Sequence, residues 1–150
     1  MPLYEKMALL SSDTKASLGK ARWFALDEFL CQDIQHESTF RYFLESRFLA
    51  VANLPSTALR SLSALTKTPE EEATAYEAQI AASGGLDLAV LGIGLNGHIG
   101  FNEPGTPLDS RTGVRQLTEK SRKANAYLFG DDLDRTQTSA ITMGIGTIMG

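Results

Sequence analysis

Leu86-Asp-Leu-Ala-Val-Leu-Gly-Ile93, followed at once by Gly94-Leu-Asn-Gly-His-Ile-Gly-Phe-Asn-Glu-Pro-Gly105, is the stretch that decides the fold. The first half is a short apolar run bounded by glycines and reads as a buried strand. The second half is rich in glycine and polar side chains, and it should lie outside that strand's carboxyl end, where open α/β sheets bind ligands. Outward from it, the chain alternates strand-like and helix-like segments, the pattern of an α/β fold. Residues 3–10 read as the end of a helix, and Trp23-Phe24-Ala25-Leu26 as a short buried strand leading into Asp27-Glu28. Residues 39–51 have helical spacing, with Phe40, Phe43, Leu44 and Phe48 on one face. Thr68-Pro69-Glu70-Glu71 predicts a helix start with a capping box, and Gly84-Gly85 its stop near Ser83. A third strand is expected over 112–117, a helix capped by Thr118 reaching Phe129, and a last strand over 140–145.

The expected fold is three-layered and Rossmann-like, a mostly parallel sheet with helices on both faces and incomplete at both ends. A parallel sheet needs both faces covered, and two or three helices here serve at least four strands. We therefore expect 1–150 to be a single partial domain of a longer chain.

Composition narrows the function classes. The chain has 150 residues, 43% hydrophobic and 21% charged, which suits one globular domain. Its 14 basic against 18 acidic residues give a net charge of −4, a poor balance for nucleic-acid binding. The lone Cys31 forms no internal disulfide, in keeping with a reducing compartment. No apolar run approaches a membrane span, and no signal-peptide pattern opens the chain. A cytoplasmic protein is expected.

The chemistry concentrates in 91–105. Asn96, His98 and Glu103 share one loop, and a histidine beside a carboxylate is a ready proton shuttle. The plain reading, a glycine-rich turn with a hydrogen-bonded histidine, would suit a lone histidine. It suits this cluster less well. Gly92, Gly94 and Gly97 match G-x-G-x-x-G, but Pro104 and Pro107 leave no room for the helix that dinucleotide binding needs. Asp27 and Glu28 should reach the same sheet edge, or else serve as a turn acid or helix cap. His36, among Gln35, Glu37 and Ser38, reads as a surface residue. Arg111, Arg115, Lys120, Arg122 and Lys123 stand against Glu119 alone. They read as a solvated face or as a positive rim for an anionic substrate.

These motifs resemble glucosamine-6-phosphate deaminase. Residues 91–105 are similar to its signature loop, Phe24-Ala-Leu-Asp-Glu-Phe29 to its acidic motif, and Ser110-Arg-Thr112, Leu117-Thr118, Ser121-Arg-Lys-Ala-Asn125 and 140–145 follow in the family's order. The resemblance implies conversion of glucosamine 6-phosphate to fructose 6-phosphate and ammonia, with no metal or organic cofactor. It implies that His98 moves a proton as the sugar ring opens. Glu103 and Asn96 would orient and tune it. Asp27 would take the proton from C2 and return one at C1. Because Asn96 cannot hold a charge, the Glu103–His98 dyad is expected to carry the relay. The partner is a small-molecule substrate, not nucleic acid or membrane, and a homo-oligomer is compatible.

The sequence also departs from that family. Pro2-Leu-Tyr-Glu-Lys6 resembles the helix just after the family's phosphate loop, so that loop is absent. Tyr127 stands where an arginine contacts the phosphate. A further phosphate-binding lysine would lie beyond Gly150. Gly113 replaces a basic residue found in members activated by N-acetylglucosamine 6-phosphate. Weak or absent activity is therefore expected of these 150 residues alone. The rival readings are a 6-phosphogluconolactonase-like hydrolase, whose loop lacks Phe101-Asn-Glu-Pro104, and a non-catalytic sugar-phosphate-binding remnant.

Overall fold

A computed structural model describes residues 2–9, 18–31 and 36–150. Helix α1 spans Pro2–Leu9. Strand β1, Trp23–Phe24, is followed after a two-residue break by β2, Asp27–Leu30. A long helix, α2, comprises Phe40–Leu44, a π turn at Glu45–Leu49, and Ala50–Ala52. Then come β3 (Leu59–Arg60), α3 (Pro69–Ala82), β4 (Gly113–Gln116), α4 (Glu119–Asn125), β5 (Ser139–Thr142) and α5 (Ile145–Met149).

The α/β class stands, with one parallel and one antiparallel sheet among the described residues. β1 and β3 pair in parallel, while β5 lies between β2 and β4 and runs antiparallel to both. The register sets Thr142 of β5 between Asp27 of β2 and Gly113 of β4. The last strand ends at Thr142, short of the expected 145. Gly144 then turns the chain into α5.

The strand expected over 86–93 does not form. The run is irregular and most of it is exposed, Leu88 at 80% and Ile93 at 78%. Apolar β-formers make a strand only against a neighbour that pairs their backbone, and among the described residues no strand pairs with this run.

Three apolar clusters hold the rest together. Phe48, Leu49 and Leu59 pack under α1. Tyr76 and Ile80 of α3 pack on Leu62, Ile141 and Met143. Phe29, Phe101, Phe129 and Ala140 form the third, with Phe40 stacked 4.9 Å from Phe29. The aromatic face expected on α2 thus divides, Phe40 serving one cluster and Phe48 another.

Helix ends follow local chemistry, with one exception. Thr39 accepts the Tyr42 amide and Thr118 the Ser121 amide, at 3.0 and 3.1 Å. Thr68 makes no side-chain cap, so the capping box with Glu71 is absent. The Thr68 amide donates to Thr66 Oγ1 instead, and Glu72 turns back to accept the Ser63 amide. Helix α4 runs on as a 3-10 turn through Phe129 and stops at left-handed Gly130.

Candidate active site

The site begins at β5. The Phe101 amide donates to Thr142 Oγ1 at 3.4 Å, and Asn102 Nδ2 donates to the Met143 carbonyl at 2.7 Å and to the Ile99 carbonyl at 3.0 Å. Ile99 and Asn102 also bridge through their backbones. This clasp seats the loop on the end of β5. The sequence reading assigned that role to a strand over 86–93, which is the wrong support.

Two glycines let the loop come close. At Gly100 (φ +58°) a Cβ would stand 2.6 Å from Thr142 Oγ1 and 3.3 Å from Asp27 Oδ2. At Gly94 a Cβ would run into the His98 ring. The loop backbone therefore lies over Asp27, and the imidazole lies over the loop's own entry.

Asn96, His98 and Glu103 come together, in an order the residue types alone do not give. Asn96 Nδ2 donates to Glu103 Oε2 at 2.7 Å, and Asn96 Oδ1 lies 2.6 Å from His98 Nδ1. The carboxylate accepts only, so it fixes which end of the amide faces it. Oδ1 is then turned to the ring, and Nδ1 must carry the hydrogen, leaving the lone pair on Nε2. The expected direct Glu103–His98 contact is replaced by a chain through the Asn96 amide. An amide can orient an imidazole in this way, but it takes up no proton.

Glu103 is held from its other side by α4. Ser121 Oγ donates to Oε1 at 2.6 Å and Thr118 Oγ lies 3.2 Å from the same atom. The Ser121 hydrogen bond, more than any other contact, keeps the Glu103 carboxyl below its usual range, with Asn96 and Thr118 adding to it. Thr118 was legible as a cap. Ser121, three residues on, enters the sequence reading only as part of the motif 121–125, although a hydroxyl at that spacing shares the cap's face.

Asp27 is opposite in character. It opens β2 rather than a turn, beside Thr142. Among the described residues, nothing donates a hydrogen bond to its carboxylate. Burial, with the Glu28 charge adding, lifts its carboxyl to about 7. Two carboxyls pushed in opposite directions at one loop are the usual setting for acid and base roles.

Glu28 is a structural acid. It is 1% exposed and accepts the amides of Phe29, Phe40 and Arg41 at 3.0–3.1 Å, satisfying the start of α2. Of the two acids, it takes the helix-cap role weighed above. His36 opens a 3-10 turn, and its side chain lies outside the described residues.

Four of the five basic side chains are committed elsewhere, and the fifth, Lys120, is exposed. Arg111 pairs with Glu77 at 2.8 Å and donates to the Gly146 carbonyl. Arg115 donates to the Val114 and Arg111 carbonyls. Arg122 binds the Leu133 and Thr136 carbonyls, and Lys123 pairs with Glu119. Tyr127 is 66% exposed. Among the described residues no group of histidine, cysteine or carboxylate side chains could hold a metal ion, and no helix is long and apolar enough to cross a membrane.

The α/β scaffold thus sets a histidine–amide–carboxylate chain in the loop whose backbone lies over the half-buried Asp27. The sequence profile of the glucosamine-6-phosphate isomerases/6-phosphogluconolactonase family matches residues 1–126, and the chain belongs to that family. It is 38% identical over 149 residues to glucosamine-6-phosphate deaminase 1 of Giardia intestinalis, covering 99% of this chain and 56% of that protein. It is 40% identical over 146 residues to the deaminase of Shouchella clausii, covering 97% and 59%. A solved structure of a monomeric glucosamine-6-phosphate deaminase superposes with a TM-score of 0.83 at 30% identity, over 98% of this chain and 61% of that one. The 6-phosphogluconolactonase of Thermotoga maritima superposes at 0.64 with 18% identity, which shows the shared fold. The chain thus spans somewhat over half the length of the curated relatives it matches.

Proposed function

We propose that the chain carries the acid–base half of a glucosamine-6-phosphate deaminase site. The observation that carries this reading is the pairing of Asp27, lifted to about 7, with a loop that fixes the His98 tautomer. His98 Nε2 holds the free lone pair and moves the proton between ring oxygen and O1 as the pyranose opens. Asp27 removes the C2 proton and delivers one to C1, which leaves a C2 imine. Water then replaces nitrogen at C2, giving fructose 6-phosphate and ammonia. A base with a pKa near neutral is suited to such transfer. Glu103 and Asn96 hold His98 in place, and neither receives the proton.

A phosphate dianion needs several donors. The arginines of 111–123 are engaged with protein groups, and Tyr127 offers no charge. Losing two charge-assisted contacts, at ~1.5–3 kcal/mol each, weakens binding by roughly two to four orders of magnitude. We expect these 150 residues to bind glucosamine 6-phosphate no tighter than the millimolar range and to turn it over slowly.

The test is release of ammonia and fructose 6-phosphate at saturating substrate, run beside hydrolysis of 6-phosphogluconolactone. Deamination lost in Asp27→Asn and His98→Gln supports the assignment. Lactone hydrolysis without deamination favours the rival enzyme. Substrate binding with neither reaction marks a non-catalytic sugar-phosphate binder.

A further inference from the structure

Thr142 stands opposite Asp27 in the register of β2 and β5, which sets the two side chains on one face of the sheet. It is fully buried, yet its hydroxyl is poorly used. Oγ1 accepts the Phe101 amide at 3.4 Å and donates to the Met143 carbonyl at 3.4 Å, and both contacts are long for a hydrogen bond. The Asp27 carboxylate has no donor among the described residues. Thr142 Oγ1 and Asp27 Oδ2 nevertheless converge on one spot, 2.6 and 3.3 Å from where a Cβ on Gly100 would stand. The glycine keeps the space between them free of a side chain.

We propose that Thr142 is a positioning residue for Asp27, its hydroxyl turning from the Met143 carbonyl to Asp27 Oδ2 when the carboxylate takes its charge. The inference rests on the acid–base reading of Asp27 and adds a residue to it. A hydrogen bond to a carboxylate is shorter and about twice as strong as one between neutral groups, so the charge draws the hydroxyl over. The Met143 carbonyl is not stranded by the turn, because Asn102 Nδ2 already donates to it at 2.7 Å. Anchoring one carboxylate oxygen fixes the plane of the group and leaves the other oxygen to meet C2 and C1 in turn. Other titratable groups bear on Asp27 too. Glu28 of β2 adds its charge, and Tyr4 of α1 and Tyr76 of α3 feel the Asp27 charge in return. Burial pushes both phenols up, so they stay neutral where Asp27 titrates. The loop above carries His98 and Glu103. All five are unchanged in the variants below.

The experiment follows the Asp27 titration by carboxyl-carbon NMR in the native chain and three variants. Thr142→Val keeps the shape and removes the donor, so the titration should rise by roughly one to two units. Thr142→Ser keeps the donor and should bring it back. Loosening of the loop alone acts the other way, since water reaching a buried carboxyl lowers its titration. Asn102→Ala, which frees the loop from Met143 and leaves the hydroxyl in place, supplies that case. The acid limb of the deamination profile should move up with the Thr142→Val titration, in kcat and not in KM, because Thr142 does not reach the substrate. A titration unchanged or lowered in Thr142→Val would overturn the proposal. So would a rise that Thr142→Ser or Asn102→Ala shares. Deamination that survives Asp27→Asn would instead sink the base assignment, whatever Thr142 does to the titration.

Discussion

Replacing Asp27 by Asn should stabilise the chain, and the gain should grow with pH. Burial lifts the Asp27 carboxyl from 3.8 to about 7. Below about pH 4 the group is protonated both folded and unfolded, and Asn is its near isostere, so the two proteins should be about equally stable. Between those values the folded state binds more protons than the unfolded one, and stability falls as pH rises. Above 7 the native protein holds a desolvated charge that the variant lacks. Roughly three units at 1.36 kcal/mol each put the final gap on the order of 4 kcal/mol. Urea melts of both proteins at half-unit steps from pH 4 to 8 would measure it. A gap that stays flat across this range, or widens toward acid, would refute the claim that Asp27 is held against its own ionisation. The same variant should lose about 10²–10⁴ in deamination rate. Stability would then rise as activity falls, which marks a residue kept for chemistry.

Other substitutions test the rest of the site. Ser121→Ala should move the Glu103 titration, followed by carboxyl-carbon NMR, back up toward 4.5, because its strongest hydrogen bond is gone. Asn96→Asp should set a second carboxyl 2.7 Å from Glu103 and raise the pair's upper apparent pKa by at least about one unit; an unchanged titration would mean the contact is not made in solution. Gly100→Ala should destabilise by about 1–3 kcal/mol in thermal or urea melts, through positive φ and the clash with Thr142. Glu28→Ala should cost a similar ~1–3 kcal/mol by stripping the amides of Phe40 and Arg41 of their acceptor, whereas Glu71→Ala, at an exposed position with no cap to break, should cost less than about 0.5 kcal/mol.

What was legible in the sequence was local. α3 between Pro69 and the double glycine, the Thr118 cap and the gathering of Asn96, His98 and Glu103 in one loop all follow from spacing within a few residues. The run 86–93 misled because a strand is completed by its neighbour, and its own composition cannot report whether one is there. The order of the Glu103–Asn96–His98 chain depends on which way an amide is turned, and three residue names do not carry that. Glu28 escaped a firm assignment for another reason. The amides it satisfies are its own neighbour's and two that lie twelve and thirteen residues away.

The clasp at Ile99 and Asn102 has a consequence for how this architecture tolerates change. The loop closes on itself over four residues and is pegged at two places, the end of β5 and, through Glu103, the hydroxyls of Ser121 and Thr118. Residues inserted between Gly105 and Pro107 would lengthen the descending arm while leaving the pegs and the imidazole where they are. A deletion inside 99–102 would detach both at once. The loop is therefore portable only to a scaffold that offers both a threonine hydroxyl and a free carbonyl at one strand end and a pair of hydroxyls facing the carboxylate of Glu103.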